Sequence, residues 1–396
     1  MSRTRIAGAA TLVVASALLA SCSTDDVPEA DRRTAAAAAG EESAPAPVRV
    51  TTNVARDGVP VDHALRVTAR NGSLTKVMVS SGAGRLPGRL SGDGSSWTAT
   101  GRLEPGQQYV VRSVAERADG ERATRTSRFR TEDLTLDEQT YASVAPLAGE
   151  TVGVGMPVIV TFDVPVTDRA NMERHMRVTS TPRQPGTWHW VNEHEAHWRP
   201  KTYWKPGSHV AVDLDINSVD AGNGIYGQED RRVEFDVGDS VVSRVDVAAH
   251  RMEVFVNGDL ARTIPISAGK PGWETRSGTK VIIEKFESKR MNAATIGVAP
   301  GDPEYYDLSN VRYALRVTYS GEFLHAAPWS VGSQGSANVS HGCVGMSLED
   351  AAWLYNLTKR GDVVEVTGSD RQMTLYNGYG DWNADFATYA EGSALS

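Results

Sequence analysis

Short alternating runs of β-branched and polar residues dominate the chain from Val48 onward. Ala64-Leu65-Arg66-Val67-Thr68-Ala69, Lys76-Val77-Met78-Val79 and Val158-Ile159-Val160-Thr161-Phe162 are each bounded by turn-forming residues and predict strands. Leu103-Glu104-Pro105-Gly106 and its following strand pattern are echoed by Trp204-Lys205-Pro206-Gly207, with the Pro-Gly pairs 101 residues apart. That spacing suits tandem β-sandwiches of roughly 100 residues. It predicts a first sandwich over residues 48–131 and a second over 132–238, with one large β domain as the alternative. Tyr109 occupies the place where immunoglobulin-like domains put a corner tyrosine.

A third unit is expected over residues 239–368. Arg244-Val245-Asp246-Val247 and Met252-Glu253-Val254-Phe255-Val256 read as strands, the second turning at Asn257-Gly258, a pair that accepts positive φ. Further strands are expected at Val281-Ile282-Ile283, Tyr313-Ala314-Leu315-Arg316-Val317, Phe323-Leu324 and Val363-Val364-Glu365-Val366. The clearest helical period follows Ser347, where Leu348, Ala352, Trp353 and Leu357 recur and Gly361 ends the element. The fold expected is therefore mainly β, with one main helix. Residues 369–396 carry Tyr376, Tyr379, Trp382, Phe386 and Tyr389, a ring density that predicts packing back onto the third unit.

The N-terminus changes the picture of where this chain works. Arg3 and Arg5 precede an apolar run from Ala7 to Ala20, too short to span a bilayer, and Leu19-Ala20-Ser21-Cys22 resembles a lipobox. Residues 1–21 are expected to be a lipoprotein signal, with lipidated Cys22 tethering the chain to the outer face of the cytoplasmic membrane. An ordinary signal peptide cut after Ser21 is the alternative. Residues 22–47, rich in Ala, Pro, Ser, Asp and Glu, cannot build a core and read as a spacer. The formal net charge is −8 and no basic run follows the signal, which argues against nucleic-acid binding.

Only two cysteines exist, Cys22 and Cys343. Cys343 thus lacks an obvious disulfide partner in a chain that reads as exported, and its setting, Ser340-His341-Gly342-Cys343, points to a reactive thiol. A thiol attacks acyl carbon as its thiolate, so a base is needed; His325 and His341 are the candidates. The helix expected about four residues later is positioned to favour a negative sulfur, and Gly342 and the Cys343 N–H could help hold an oxyanion. An inert buried cysteine, or a zinc site of His325, His341 and Cys343, are the competing readings; the latter lacks an evident fourth ligand. No metal and no cofactor are expected. His194-Glu195-Ala196-His197 is one residue short of a metalloprotease motif and reads as a hairpin of the second sandwich.

His325, fourteen residues, and then Ser340-His341-Gly342-Cys343-Val344 resembles the signature of L,D-transpeptidases with a YkuD-type catalytic domain. His325-Ala326-Ala327-Pro328-Trp329-Ser330, Arg360-Gly361-Asp362-Val363 and Gly380-Asp381-Trp382-Asn383 are similar to actinobacterial members with two N-terminal immunoglobulin-like domains. The resemblance implies two tandem immunoglobulin-like β-sandwiches followed by a β-rich YkuD-type domain. It implies that Cys343 attacks the L-to-D peptide bond of a peptidoglycan tetrapeptide stem, releasing D-Ala, and that a neighbouring stem amine resolves the thioester into a 3→3 cross-link. His325 would be the proton acceptor and donor, oriented by the carbonyl of Ala326, with His341 beside the nucleophile and Gly342 at the oxyanion site. Tyr306 would be a lid tyrosine, and Ser320, Gly321, Trp329, Ser340 and Gly345 would contact substrate. Carbapenems would be inhibitors, and cell-wall biogenesis and cell shape the setting. Gly345 departs from the family's usual asparagine. Hydrolysis by the same thioester, attachment of proteins to the wall, and an inactive wall-binding lipoprotein are the alternatives.

Overall fold

The computed structural model describes residues 46–396; the expected signal, Cys22 and most of the expected spacer lie outside the described residues. Arg49–Thr52, Arg66–Arg70, Ser96–Ala99 and Gly88–Leu90 form one four-stranded sheet. Gly84–Leu86, Ser73–Ser81, Gln108–Glu116 and Arg122–Arg130 form the sheet packed on it. Alternation along the third of these strands sends Tyr109, Val111, Ser113 and Ala115 inward and Arg112 outward. Tyr109 stacks on Phe129 at 5.1 Å, and its hydroxyl accepts the Glu104 N–H at 2.8 Å. That bond ties the Pro105-Gly106 turn to the strand it feeds, and Gly106 takes the positive φ (65°) the turn requires.

The second sandwich pairs Ala142–Ala145, Val158–Phe162, Glu195–Pro200 and Gly186–Trp190 in one sheet. Thr151–Val152, Arg231–Val237, His209–Leu214 and Met176–Thr181 make the other. Gly186–Trp190 and Glu195–Pro200 are an antiparallel hairpin with His189 opposite His197. Its core of Trp188, Trp190, Trp198, Trp204 and Phe235 continues into the third unit through Val281, Ile283, Val363 and Tyr379. Burial of aliphatic side chains of this size stabilises by roughly 1.5–3 kcal/mol each, so this joint is a rigid one. Gly153 lets the two backbones touch: a Cβ there would sit 2.2 Å from the Asp362 nitrogen.

The third unit has a five-stranded sheet, ordered Asp259–Pro265, Arg251–Val256, Val241–Asp246, Val363–Thr367 and Gly278–Val281. A four-stranded sheet follows, ordered Glu284–Asn292, Asp307–Arg316, Phe323–Ala326 and Val344–Met346. Between them Leu315, Leu324, Val344, Met346, Val364 and Val366 form one buried core. The helix Leu348–Leu357 starts at Ser347, whose hydroxyl accepts the Asp350 N–H at 3.0 Å, and it buries Ala351 and Leu354.

The aromatic tail does not pack on the third unit alone. Arg199 of the second sandwich is clasped by Tyr389, Trp382 and Phe386, with ring centroids 4.3, 4.7 and 5.5 Å from the guanidinium. Asp381 accepts from His197 at 2.9 Å and from the Tyr389 hydroxyl at 2.8 Å. The same tail reaches the third unit through Asn383 on Thr279 and Arg360 on the Tyr379 hydroxyl, both at 2.7 Å. It straps the two units together, because the second sandwich offers a buried arginine for those rings to cover.

Candidate active site

Strand register builds the site. Phe323–Ala326 runs parallel to Val344–Met346, with Leu324 beside Val344 and His325 beside Gly345. Side chains alternate along a strand, so Cys343 and Gly345 share a face, and that face carries His325. The imidazole and the thiol are therefore diagonal neighbours on one side of the sheet. Both line a cavity of about 270 Å³ whose walls include Tyr306, Trp329, Ser340 and His341. Cys343 also borders a second cavity, about 200 Å³, with Ile296, Tyr306, Tyr319, Ser320 and Gly321. Cys343 thus borders two cavities.

His325 is buried, and its Nδ1 lies 2.8 Å from the carbonyl oxygen of Ala326. A carbonyl can only accept, so Nδ1 carries the hydrogen and Nε2 is left as the basic atom. Burial lowers the imidazole pKa below its ordinary value and outweighs that hydrogen bond, so the ring is neutral at neutral pH. Trp329, exposed to solvent, stacks on it at 5.8 Å.

Cys343 is not a ready thiolate. Its pKa is pushed up to about 12, first by burial and further by Glu322, with the Phe323 backbone and the Lys280 ammonium pulling the other way. The thiol hydrogen points to the carbonyl of Gly321 at 3.7 Å, and among the described residues no hydrogen bond joins it to His325. Nor does the helix dipole act on the sulfur. Val344–Met346 is extended and carries the chain away at about 3.3 Å per residue before the helix starts at Leu348. The first helical turn is moreover capped by Ser347 and lined by Glu349 and Asp350. The expectation of a dipole-stabilised sulfur is overturned by that intervening strand.

The other expected residues fall around this pair. His341 is not placed as a base: its Nε2 lies 2.7 Å from Glu304, and its ring sits between Trp273 and Tyr306, at 4.8 and 5.1 Å. Tyr306 borders both cavities, and burial with the neighbouring Cys343 pushes its hydroxyl up to about 12. Ser340 shapes the nucleophile turn, donating to the Cys343 carbonyl at 2.7 Å and accepting the Gly342 N–H at 3.1 Å. Gly342 takes φ +116°, a conformation that side chains avoid. Ser320 is bound to Asn377 of the tail, at 2.9 Å through both its N–H and its hydroxyl. Gly345 is backbone-paired with Ser267, and a Cβ there would come 2.8 Å from that of Ala327.

Sequence reasoning missed what lies beneath Cys343. Glu322, 4% exposed, accepts from Arg276 at 2.6 Å and from Lys280, which is 1% exposed. A Cβ on Gly342 would stand 3.6 Å from the Glu322 Cγ, so this buried ion cluster supports the nucleophile turn from below. Thr275 adds a second brace, donating to the Gly342 carbonyl at 2.9 Å. The available signal was a charged residue directly before each of two apolar stretches, Lys280 before Val281-Ile282-Ile283 and Glu322 before Phe323-Leu324.

With the geometry in hand, comparison with known proteins is direct. Residues 240–366 match the family described as the L,D-transpeptidase catalytic domain, and residues 56–220 match a bacterial Ig domain. L,D-transpeptidase 2 of Mycobacterium tuberculosis is 37% identical, over 85% of this chain and 82% of its own length. L,D-transpeptidase 5 of the same species is 33% identical, over 86% and 75%. The solved structure of the LD transpeptidase LdtMt1 in complex with imipenem aligns with a TM-score of 0.51 at 39% identity, covering 57% of this chain and 98% of that one. The cavity that joins Cys343 to His325 thus sits inside the matched catalytic segment, and the chain belongs to the L,D-transpeptidase family, an acyltransferase built on immunoglobulin-like modules.

Proposed function

We propose that the chain forms 3→3 cross-links in peptidoglycan through a thioester on Cys343. The observation that carries this reading is the diagonal placement of a neutral, Nδ1-anchored His325 and a neutral thiol on one cavity wall. In the first half-reaction Nε2 of His325 takes the Cys343 proton as the sulfur adds to the stem's carbonyl carbon. The Cys343 N–H, freed by the Gly342 turn, steadies the oxyanion. The C–N bond to D-Ala then breaks, with the imidazolium giving its proton to the leaving amine. In the second, a side-chain amine of another stem attacks the thioester, its proton passes to His325, and the sulfur is reprotonated. The two cavities bordering the sulfur suit one stem approaching from each side. Tyr306, Trp329, Ser340 and Gly345 would line the first, and Ser320 and Gly321 the second.

A thiol poised in this way would also open a carbapenem ring, since a relative is known in complex with imipenem. The lipobox-like Leu19-Ala20-Ser21-Cys22 supports an exported lipoprotein facing the wall from the outer side of the cytoplasmic membrane, with a role in wall biogenesis and cell shape. Purified disaccharide-tetrapeptide tests the reaction. Cross-linked dimer with stoichiometric D-Ala release is expected, and Cys343→Ala should abolish both. Hydrolysed monomer alone would make the enzyme an L,D-carboxypeptidase.

A further inference from the structure

The first sandwich is charged unlike the rest of the chain. Residues 48–131 hold fourteen Lys and Arg against seven Asp and Glu, a net of +7, whereas residues 132–396 hold 23 against 36. Of the fourteen, only Arg102, Arg117, Arg122 and Arg130 form ion pairs among the described residues.

Strand alternation sorts eight of the other ten onto the two outer faces. On the sheet containing Gln108–Glu116, Lys76, Arg85, Arg112 and Arg128 are all exposed, on the face opposite Tyr109 and Val79. On the sheet containing Arg66–Arg70, Arg49, Arg66, Arg70 and Arg89 are exposed. Arg49 and Arg70 are direct cross-strand partners there. Like charges set opposite one another destabilise a sheet, and unneutralised charge opposes compaction. Two such faces on one small module favour an anionic ligand that neutralises them. A planar membrane could touch only one of the two faces, whereas a flexible chain can follow both.

We propose that the first sandwich is a polyanion-binding module, whose two cationic faces grip a linear, phosphate-bearing polymer of the cell envelope. Only the polymer's location rests on the wall-facing reading; the binding does not. Holding such a polymer would keep the catalytic unit beside its insoluble substrate.

Long-chain linear polyphosphate is the probe, titrated against the full chain at about 50 and 200 mM salt, where cation–phosphate contacts lose affinity steeply. Saturable, salt-sensitive binding is expected. Replacing Lys76, Arg85, Arg112 and Arg128 by Gln should weaken it roughly tenfold or more and flatten the log–log salt slope by about 3. Replacing Arg49, Arg66, Arg70 and Arg89 by Gln should do the same. Far-ultraviolet circular dichroism and thermal melting confirm that both variants are folded. Turnover of soluble disaccharide-tetrapeptide should be unchanged in both, which separates failure of this proposal from failure of the catalytic one. Absence of binding at the lower salt overturns the proposal, as does full affinity in either variant. Tighter binding to phosphatidylglycerol vesicles than to polyphosphate would make the surface a membrane face and overturn it too.

Discussion

His325 faces Cys343 diagonally across a single parallel strand pair, yet the thiol hydrogen is directed at the Gly321 carbonyl, 3.7 Å away. The thiol and the imidazole therefore rest as two neutral groups. In the proposed mechanism, thiolate formation would wait for substrate, with the sulfur turning from Gly321 towards Nε2.

His325→Gln should slow acylation by about 10²–10⁴-fold, the usual contribution of a positioned base, while leaving the melting temperature close to that of the parent. Stopped-flow quenching of protein fluorescence by a carbapenem reads the rate. An unchanged rate would remove His325 from the mechanism.

The pH profile of acylation follows from the lowered imidazole pKa. The active form has neutral His325, so the acidic limb should fall below the ordinary histidine value of about 6.5, and the rate should stay level from there through neutrality. A limb centred above that value would show that the ring is not desolvated as described.

Breaking the ion cluster beneath the nucleophile should be costly. Lys280→Met leaves Glu322 buried without its closest cation, and Glu322→Gln does the reverse; each should lose about 3–5 kcal/mol in urea unfolding. The combined Arg276→Met, Lys280→Met, Glu322→Leu change should recover much of that loss, because every ion of the cluster is then removed together. Glu322 raises the thiol pKa and Lys280 opposes it, so Lys280→Met should slow alkylation of Cys343 by iodoacetamide and Glu322→Gln should speed it.

The joint to the tail gives a pH-dependent stability. Burial would lower the pKa of His197, but its ion pair with Asp381 and its hydrogen bonds to Asp381 and Glu195 prevail and push it up to about 9. A raised folded-state pKa gives stability that is complete below about 6.5 and is lost as pH rises through about 9. Thermal melting should thus decline across that window in the parent and be flatter in His197→Gln. An identical decline in both would assign it to other groups.

Gly345 tests how the nucleophile strand is packed. An asparagine Cβ would meet Ala327 at 2.8 Å, so Gly345→Asn should lower both stability and acylation rate. Ala327→Gly in the same chain should restore part of each. Lack of any rescue would place the cause elsewhere.

Much of this molecule could be read from local sequence. Alternation around Tyr109 and the paired Pro-Gly turns indicated sandwiches, and the motif from His325 to Cys343 picked out two residues that line one cavity. What escaped depends on long-range juxtaposition. Lys280 meets Glu322 across 42 residues, and Arg199 meets the tail rings across nearly 190. No periodicity reports such partners. The protonation state of Cys343 escaped for a related reason: burial sets it, and proximity to a helix in sequence is no guide when an extended strand intervenes. The cationic faces of the first sandwich were hidden because alternation spreads their arginines among threonines, serines and core residues, leaving no basic run.

The most direct measurement is intact mass after incubation with imipenem, followed over time for the parent, Cys343→Ala and His325→Gln chains. The account predicts a gain of one drug mass in the parent, carried by the peptide containing Cys343, no gain in Cys343→Ala, and the same gain formed far more slowly in His325→Gln. An adduct that persists in Cys343→Ala, or a parent protein that gains no mass, would contradict it.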